Sequence, residues 1–224
     1  MLIQNYALFP FRIITGRLLR PDVKKDIDAK KRGAPMDQKY YDLFESNPVI
    51  AAVKDMKGLA DCCSMEEIRV VFILFGDICN LSSIVKQIKD ADKVAMVHID
   101  LITGLSGREI AVDFIKSNTK ADGIISTKPA LIKRAKELSL FTTLRIFVLD
   151  SMAFENIDRL MNVARPDIIE ILPGLMPKVI KRVCCLVKVP VIAGGLISDK
   201  EDVMEALAAG AISVSTTNPM VWKM

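Results

Sequence analysis

One histidine, one tryptophan and three tyrosines are all that this chain of 224 residues offers of those types, and aromatic residues make up only 6% of it. A metal centre built on several imidazoles is therefore excluded. Carboxylates such as Asp100, Asp150 and Glu170 could supply oxygen ligands, but their spacing lends no support, so no metal is expected. Long hydrophobic runs are missing too: no stretch reaches the ~18 apolar residues of a membrane span. The apolar segment "YALFPFRII" near the start is interrupted by Pro10 and Arg12. It has neither a basic lead nor a small-residue cleavage pattern, so it is not read as a secretory signal. A cytoplasmic protein without a membrane partner is expected.

The cysteines lack the spacing that would give them chemistry. Cys62-Cys63 and Cys184-Cys185 are adjacent pairs and Cys79 stands alone, so no CxxC zinc or redox motif exists. Both pairs fall in helix-like stretches and are expected to act as small buried apolar side chains. The nucleophile elbow, the phosphate-cradling loop of nucleotide hydrolases and the dinucleotide-binding glycine fingerprint are all absent. No catalytic residue and no cofactor are therefore expected. A general excess of basic charge is also absent from most of the chain. Residues 1–35 carry eight Lys/Arg against three Asp, a net +5, whereas the remainder carries 23 Lys/Arg against 24 Asp/Glu. Nucleic-acid binding by the body of the protein would need a local patch. Residues 1–35 read as a flexible basic extension, and Met36 opens the stretch that reads as a domain, 36–224.

What is present is an alternation. Apolar runs at 48–53, 70–75, 94–99, 123–127, 143–149, 167–172, 189–194 and 211–216 alternate with amphipathic stretches such as "SSIVKQIKDA" and "PKVIKRVCCLV". Strands that are apolar on both faces and separated by helices predict a parallel sheet. Eight of them predict an α/β fold, a single (β/α)8 barrel of the TIM type, with a doubly wound open sheet as the alternative. The first crossover, 54–69, reads as the shortest.

Polar residues gather where the runs end, which in a barrel is the working face. Lys54 follows the first run. His98 and Asp100 end the third, on one face with Val94 and Met96 if the strand continues. Glu170 lies within the sixth run, where a carboxylate is costly to bury without a partner, and Lys54 is the available cation. Gly194-Gly195 end the seventh run, in "VPVIAGGLIS", and Ser215 and Thr216 end the eighth. The seventh and eighth loops of such barrels commonly hold a phosphate, so these four are expected around one, with Ser198 or Asp199 capping the next helix. Two basic clusters stand on helical stretches: Lys178, Lys181 and Arg182, and Lys133, Arg134 and Lys136.

Two long segments, "VHIDLITGLSGREIAVDFIKSNTKADGIISTKPALIKRAKELSLFTTLRIFVLDS" and "PDIIEILPGLMPKVIKRV…VPVIAGGLISDKEDVMEALAAGAISVSTTNPMVW", resemble the glycerol uptake operon antiterminator family over about residues 38–222. The resemblance implies a barrel that binds glycerol 3-phosphate as effector and acts on leader mRNA to prevent premature termination. It implies a regulator of glycerol metabolism rather than an enzyme. The predicted ligand site is then Lys54, His98, Asp100, Glu170, Gly194, Gly195, Ser215 and Thr216. Lys178, Lys181 and Arg182 are the weaker candidates for RNA contact, since no familiar RNA-binding motif occurs. A homo-oligomer is compatible with this reading. The alternative is a sugar-phosphate lyase or isomerase, for which a desolvated Lys54 would be the reactive amine.

Overall fold

The computed structural model describes residues 38–224, so the extension expected at 1–35 lies outside the described residues. Eight parallel strands close into a barrel in chain order: β1 (Val49–Val53), β2 (Val70–Ile73), β3 (Val94–His98), β4 (Gly123–Ser126), β5 (Phe141–Phe147), β6 (Ile168–Leu172), β7 (Val191–Gly194) and β8 (Ser213–Thr216). Each strand pairs in parallel with the next, and β8 closes onto β1 through Ile50 opposite Ser215. The closed order excludes the open-sheet alternative. All eight expected runs became strands, because each is buried on both faces.

The helices are α1 (Gln38–Ser46), α2 (Met56–Ser64), α3 (Leu81–Asp90), α4 (Ile110–Asn118), α5 (Pro129–Glu137), α6 (Ser151–Glu155), α7 (Ile157–Ala164), α8 (Pro177–Leu186), α9 (Lys200–Ala208) and α10 (Pro219–Trp222). In α3, Leu81, Ile84, Val85 and Ile88 recur at helical spacing and are buried against the barrel wall. Proline at the first turn starts α5, α8 and α10, where its missing N–H has no partner to lose. Aspartate starts α2, α6 and α9: Asp55, Asp150 and Asp199 each accept from a first-turn amide. Ser198 is thus not the cap of α9; its amide and hydroxyl donate to Asp202 instead.

The shortest crossover is 127–140 rather than 54–69, because α5 starts directly after β4 and β5 begins as early as Phe141. Strand alternation divides the core. Ala51, Val53 and Val71 face the helices, whereas Ile50, Phe72, Met96, Ile125, Ile168 and Ile192 fill the barrel. At the floor, the fully buried Phe44 of α1 lies 5.5 Å from the Phe141 ring, and the Ser213 hydroxyl donates to the Phe44 carbonyl. The lower barrel is closed by apolar packing, and polar side chains are left to its C-terminal mouth.

Candidate ligand site in the barrel mouth

Four interior side chains replace the apolar layers near the strand ends: His98 on β3, Arg145 on β5, Glu170 on β6 and Ser215 on β8. Glu170 is wholly buried. Its Oε2 accepts from Arg145 Nε at 2.5 Å, and its other oxygen accepts from the Ser215 hydroxyl. Arg145 and Glu170 are direct neighbours in the β5–β6 ladder, so the pair is set by strand register. The partner expected from the sequence, Lys54, is not the one used. Lys54 sits exposed one residue beyond β1, with no ion pair among the described residues. A cation two positions inside a neighbouring strand reaches a buried carboxylate, whereas one outside a strand end stays in water.

His98 is 3% exposed, and its Nδ1 has no hydrogen-bond partner among the described residues. Burial, reinforced by the nearby Arg145 guanidinium, pushes the imidazole down to about 4, which leaves it neutral near pH 7. Thr143, two residues before Arg145 and also buried, has a hydroxyl with no partner among the described residues. Buried polar atoms are nearly always hydrogen-bonded. Two such atoms on interior positions of β3 and β5 are therefore suited to an occupant that carries hydroxyl groups.

Asp100 does not continue the interior face of β3. The strand stops at His98, and residues Ile99–Leu101 form a 3₁₀ turn that carries the carboxylate onto the top of β4. There Asp100 Oδ2 accepts from Ser126 Oγ at 2.9 Å and from the Thr127 amide at 2.8 Å, while Lys128 Nζ lies 3.5 Å from Oδ1. Burial works against the charge, but the Thr127 amide and Ser126 hydroxyl, with His98 and Lys128 beside them, outweigh it and hold the carboxyl below its ordinary range. Asp100 braces the β3 and β4 loops.

The β7 loop is built around bare backbone. A side chain at Gly194 would place Cβ 2.5 Å from a Glu170 oxygen and 2.6 Å from the Ser215 hydroxyl oxygen, so the glycine makes room for the buried network. Gly195 has φ of +76° and Leu196 of +65°. A leucine held in the left-handed region costs roughly 1–2 kcal/mol and marks a loop whose shape is imposed. The carbonyl of Gly195 accepts from the Gly174 amide at 3.0 Å, tying this loop to the one after β6. The expected hydroxyl donors are already engaged: Ser215 with Glu170, and Thr216 with the Ile197 carbonyl at 2.7 Å. Of the amides in these loops, that of Ser198 donates to Asp202 and that of Asn218 to the Thr216 hydroxyl.

The structure thus brings His98, Glu170, Gly194 and Ser215 together with Arg145 and Thr143, which the sequence reading missed. It leaves Lys54 at the rim and Asp100 between loops. A charged residue in the middle of an apolar run, Arg145 in "TLRIFVL", was the available signal. Among the described residues no group of three or more His, Cys, Asp or Glu is placed to hold a metal.

On the outer wall, Lys178, Lys181 and Arg182 of α8 line a cavity of about 590 Å³ with Phe154, Cys185 and Leu186. The second basic cluster is largely neutralised: Arg134 pairs with Asp113 and Glu137, and Lys136 with Asp167. Of the cysteine pairs, only Cys62 is buried; Cys63 and Cys184 are half-buried and Cys185 is exposed, since neighbours on a helix point about 100° apart.

Residues 49–222 match the family of the glycerol-3-phosphate responsive antiterminator. The uncharacterized protein YgcP of Escherichia coli (strain K12) is 46% identical over 182 residues, which is 81% of this chain and 95% of that protein. The crystal structure of the glycerol uptake operon antiterminator regulatory protein from Listeria monocytogenes str. 4b F2365 superposes with a TM-score of 0.75 at 32% identity, covering 78% of this chain and 94% of that one. A glycerol uptake operon antiterminator-related protein from Thermotoga maritima gives a TM-score of 0.71 at 35% identity, covering 80% and 99%. With nearly the whole barrel matched, the chain belongs to the glycerol-3-phosphate responsive antiterminator family.

Proposed function

We propose that this protein is an effector-gated transcription antiterminator: glycerol 3-phosphate enters the barrel mouth, and the occupied protein binds leader mRNA of glycerol-metabolism genes and prevents premature termination. The observation that carries the ligand half is the cluster of buried polar side chains near the strand ends, with His98 Nδ1 and Thr143 Oγ1 unpartnered among the described residues and the buried Arg145–Glu170 pair close by. The phosphate would lie against the amides of Gly194 and Gly195 and of the chain leaving Ser215 and Thr216. The hydroxyls would face His98 and Thr143. Lys54 at the rim would add charge, and Asp100 would keep the neighbouring loops in place. A Schiff-base enzyme would want its lysine enclosed, and Lys54 is exposed, which favours the regulator over the lyase or isomerase.

Isothermal titration tests the effector. Glycerol 3-phosphate should bind, and glycerol without its phosphate should bind at least about tenfold more weakly. Absence of heat with glycerol 3-phosphate, or turnover of a small sugar phosphate that is lost in Lys54→Ala, would overturn the reading. Gly195→Ala and Gly195→Glu form a matched pair. At φ of +76° both strain the backbone, by about 1–2 kcal/mol, but only the glutamate repels a phosphate. Binding should survive the first and be lost in the second.

A further inference from the structure

The sequence put Lys178, Lys181 and Arg182 on one helical face, and the structure places that face in a particular setting. All three are exposed, and among the described residues none is paired with a carboxylate. They line a shallow depression between α6 and α8 together with Phe154, Cys185 and Leu186. The Arg182 guanidinium lies 4.2 Å from the centroid of the Phe154 ring. A stacked guanidinium is restrained in orientation, so its second face forms a flat, cationic platform.

An apolar lining, a planar cation and two ammonium groups without a carboxylate partner among the described residues complement a planar group attached to anionic phosphates. The depression, about 590 Å³, is broad and open to solvent rather than an enclosed cleft. An open depression with one aromatic-backed guanidinium leaves room for an extended single strand to lie across it. Single-stranded RNA is read in this manner, by stacking bases on aromatic or guanidinium planes while lysines follow the backbone.

We infer that the groove between α6 and α8 is the single-stranded RNA contact of this protein, with a base stacked on Arg182 over Phe154 and the adjoining phosphates held by Lys178 and Lys181. This rests on the antiterminator reading, which leaves open where the RNA touches the barrel. It assigns the contact to the outer wall, separate from the mouth.

The test is a fluorescence titration of a labelled leader transcript from the protein's own glycerol-metabolism gene, in saturating glycerol 3-phosphate and over a range of salt. The wild type is compared with Arg182→Ala, Phe154→Leu, the double variant Lys178→Ala/Lys181→Ala, and Lys116→Ala on α4 as a control for bulk charge. Arg182→Ala should weaken binding by roughly 5- to 150-fold, the equivalent of one stacked base. The double lysine variant should lower the slope of log affinity against log salt by about 1.4, as for two phosphate contacts on a single strand. Lys116→Ala should match the wild type, and glycerol 3-phosphate titrations should agree across the set, which shows that each variant is folded. Wild-type binding that persists in the groove variants at unchanged affinity and slope would overturn the groove. So would equal loss in Lys116→Ala. No wild-type binding at all would instead overturn the RNA half of the proposed function.

Discussion

Glu170 has no exposure to water, and a carboxylate in that position survives only because each oxygen has a donor. The Arg145 guanidinium that pairs with Glu170 also disfavours a charge on the buried ring of His98 on β3. Its imidazole is pushed to about 4, from an ordinary value of 6.5, by burial and by Arg145. The unfolded chain therefore takes up a proton between these values while the folded chain does not. Stability is complete above pH 6.5 and falls as the pH drops toward 4, by on the order of 3 kcal/mol for a shift of this size in a buried group. Denaturant unfolding at several pH values should show this slope, and His98→Gln, which cannot titrate, should flatten it between pH 4 and 6.5. An unchanged slope in the variant would assign the acid sensitivity elsewhere. The site was legible in the sequence as far as single residues go: strand alternation put His98 on one face with Met96, and Glu170 stood out as a carboxylate within an apolar run. Pairing was not legible, because which cation faces Glu170 depends on the register of β5 against β6, and sequence alone does not set it. Asp100 was misplaced for a similar reason. A strand that stops two residues early transfers its next side chain from the interior to the rim.

At the scale of elements, one device occurs twice. Asp122, just before β4, accepts from the Ala95 amide of β3 at 2.8 Å and from Lys89 of α3 at 2.7 Å. Asp167, just before β6, accepts from the Thr142 amide of β5 at 2.9 Å and from Lys136 of α5 at 2.7 Å. In each case an aspartate ahead of a strand holds the start of the preceding strand and the helix ahead of that. The carboxylates are mostly shielded, at 16% and 15% side-chain exposure, so these contacts count for more than open surface pairs. Asp122→Ala and Asp167→Ala should each cost roughly 1–3 kcal/mol by chemical denaturation, through lost charge-assisted hydrogen bonds. The double variant should be additive within about 0.5 kcal/mol, since the two clusters share no partner. The strands themselves were readable because parallel strands covered on both sides are apolar throughout. Their connections were less so: the early start of β5 at Phe141 makes 127–140 the shortest crossover, and "FTT" gives little apolar signal for it.

For the molecule as a whole, the barrel is asymmetric along its axis. Phe44 and Phe141 close one end, and the polar side chains His98, Arg145, Glu170 and Ser215 lie toward the other. No helix among the described residues is long and apolar enough to cross a membrane. The proposed effector site and RNA groove differ in place but not in chain. Linkage requires that if glycerol 3-phosphate tightens RNA binding by some factor, RNA tightens glycerol 3-phosphate binding by the same factor. Calorimetry of glycerol 3-phosphate with and without saturating leader transcript should show tighter binding in its presence, and an affinity that the transcript leaves unchanged would mean that the two sites are not coupled. The hydrogen bond from the Gly174 amide to the Gly195 carbonyl shows how short the connection is. Gly174 stands three residues before Pro177, where α8 begins. The β7 loop and the root of that helix are joined like two adjacent links. Were an anion to draw that loop inward, the pull would reach α8 at its anchored end, and a small displacement there would be carried along the helix toward the cations at Lys178, Lys181 and Arg182.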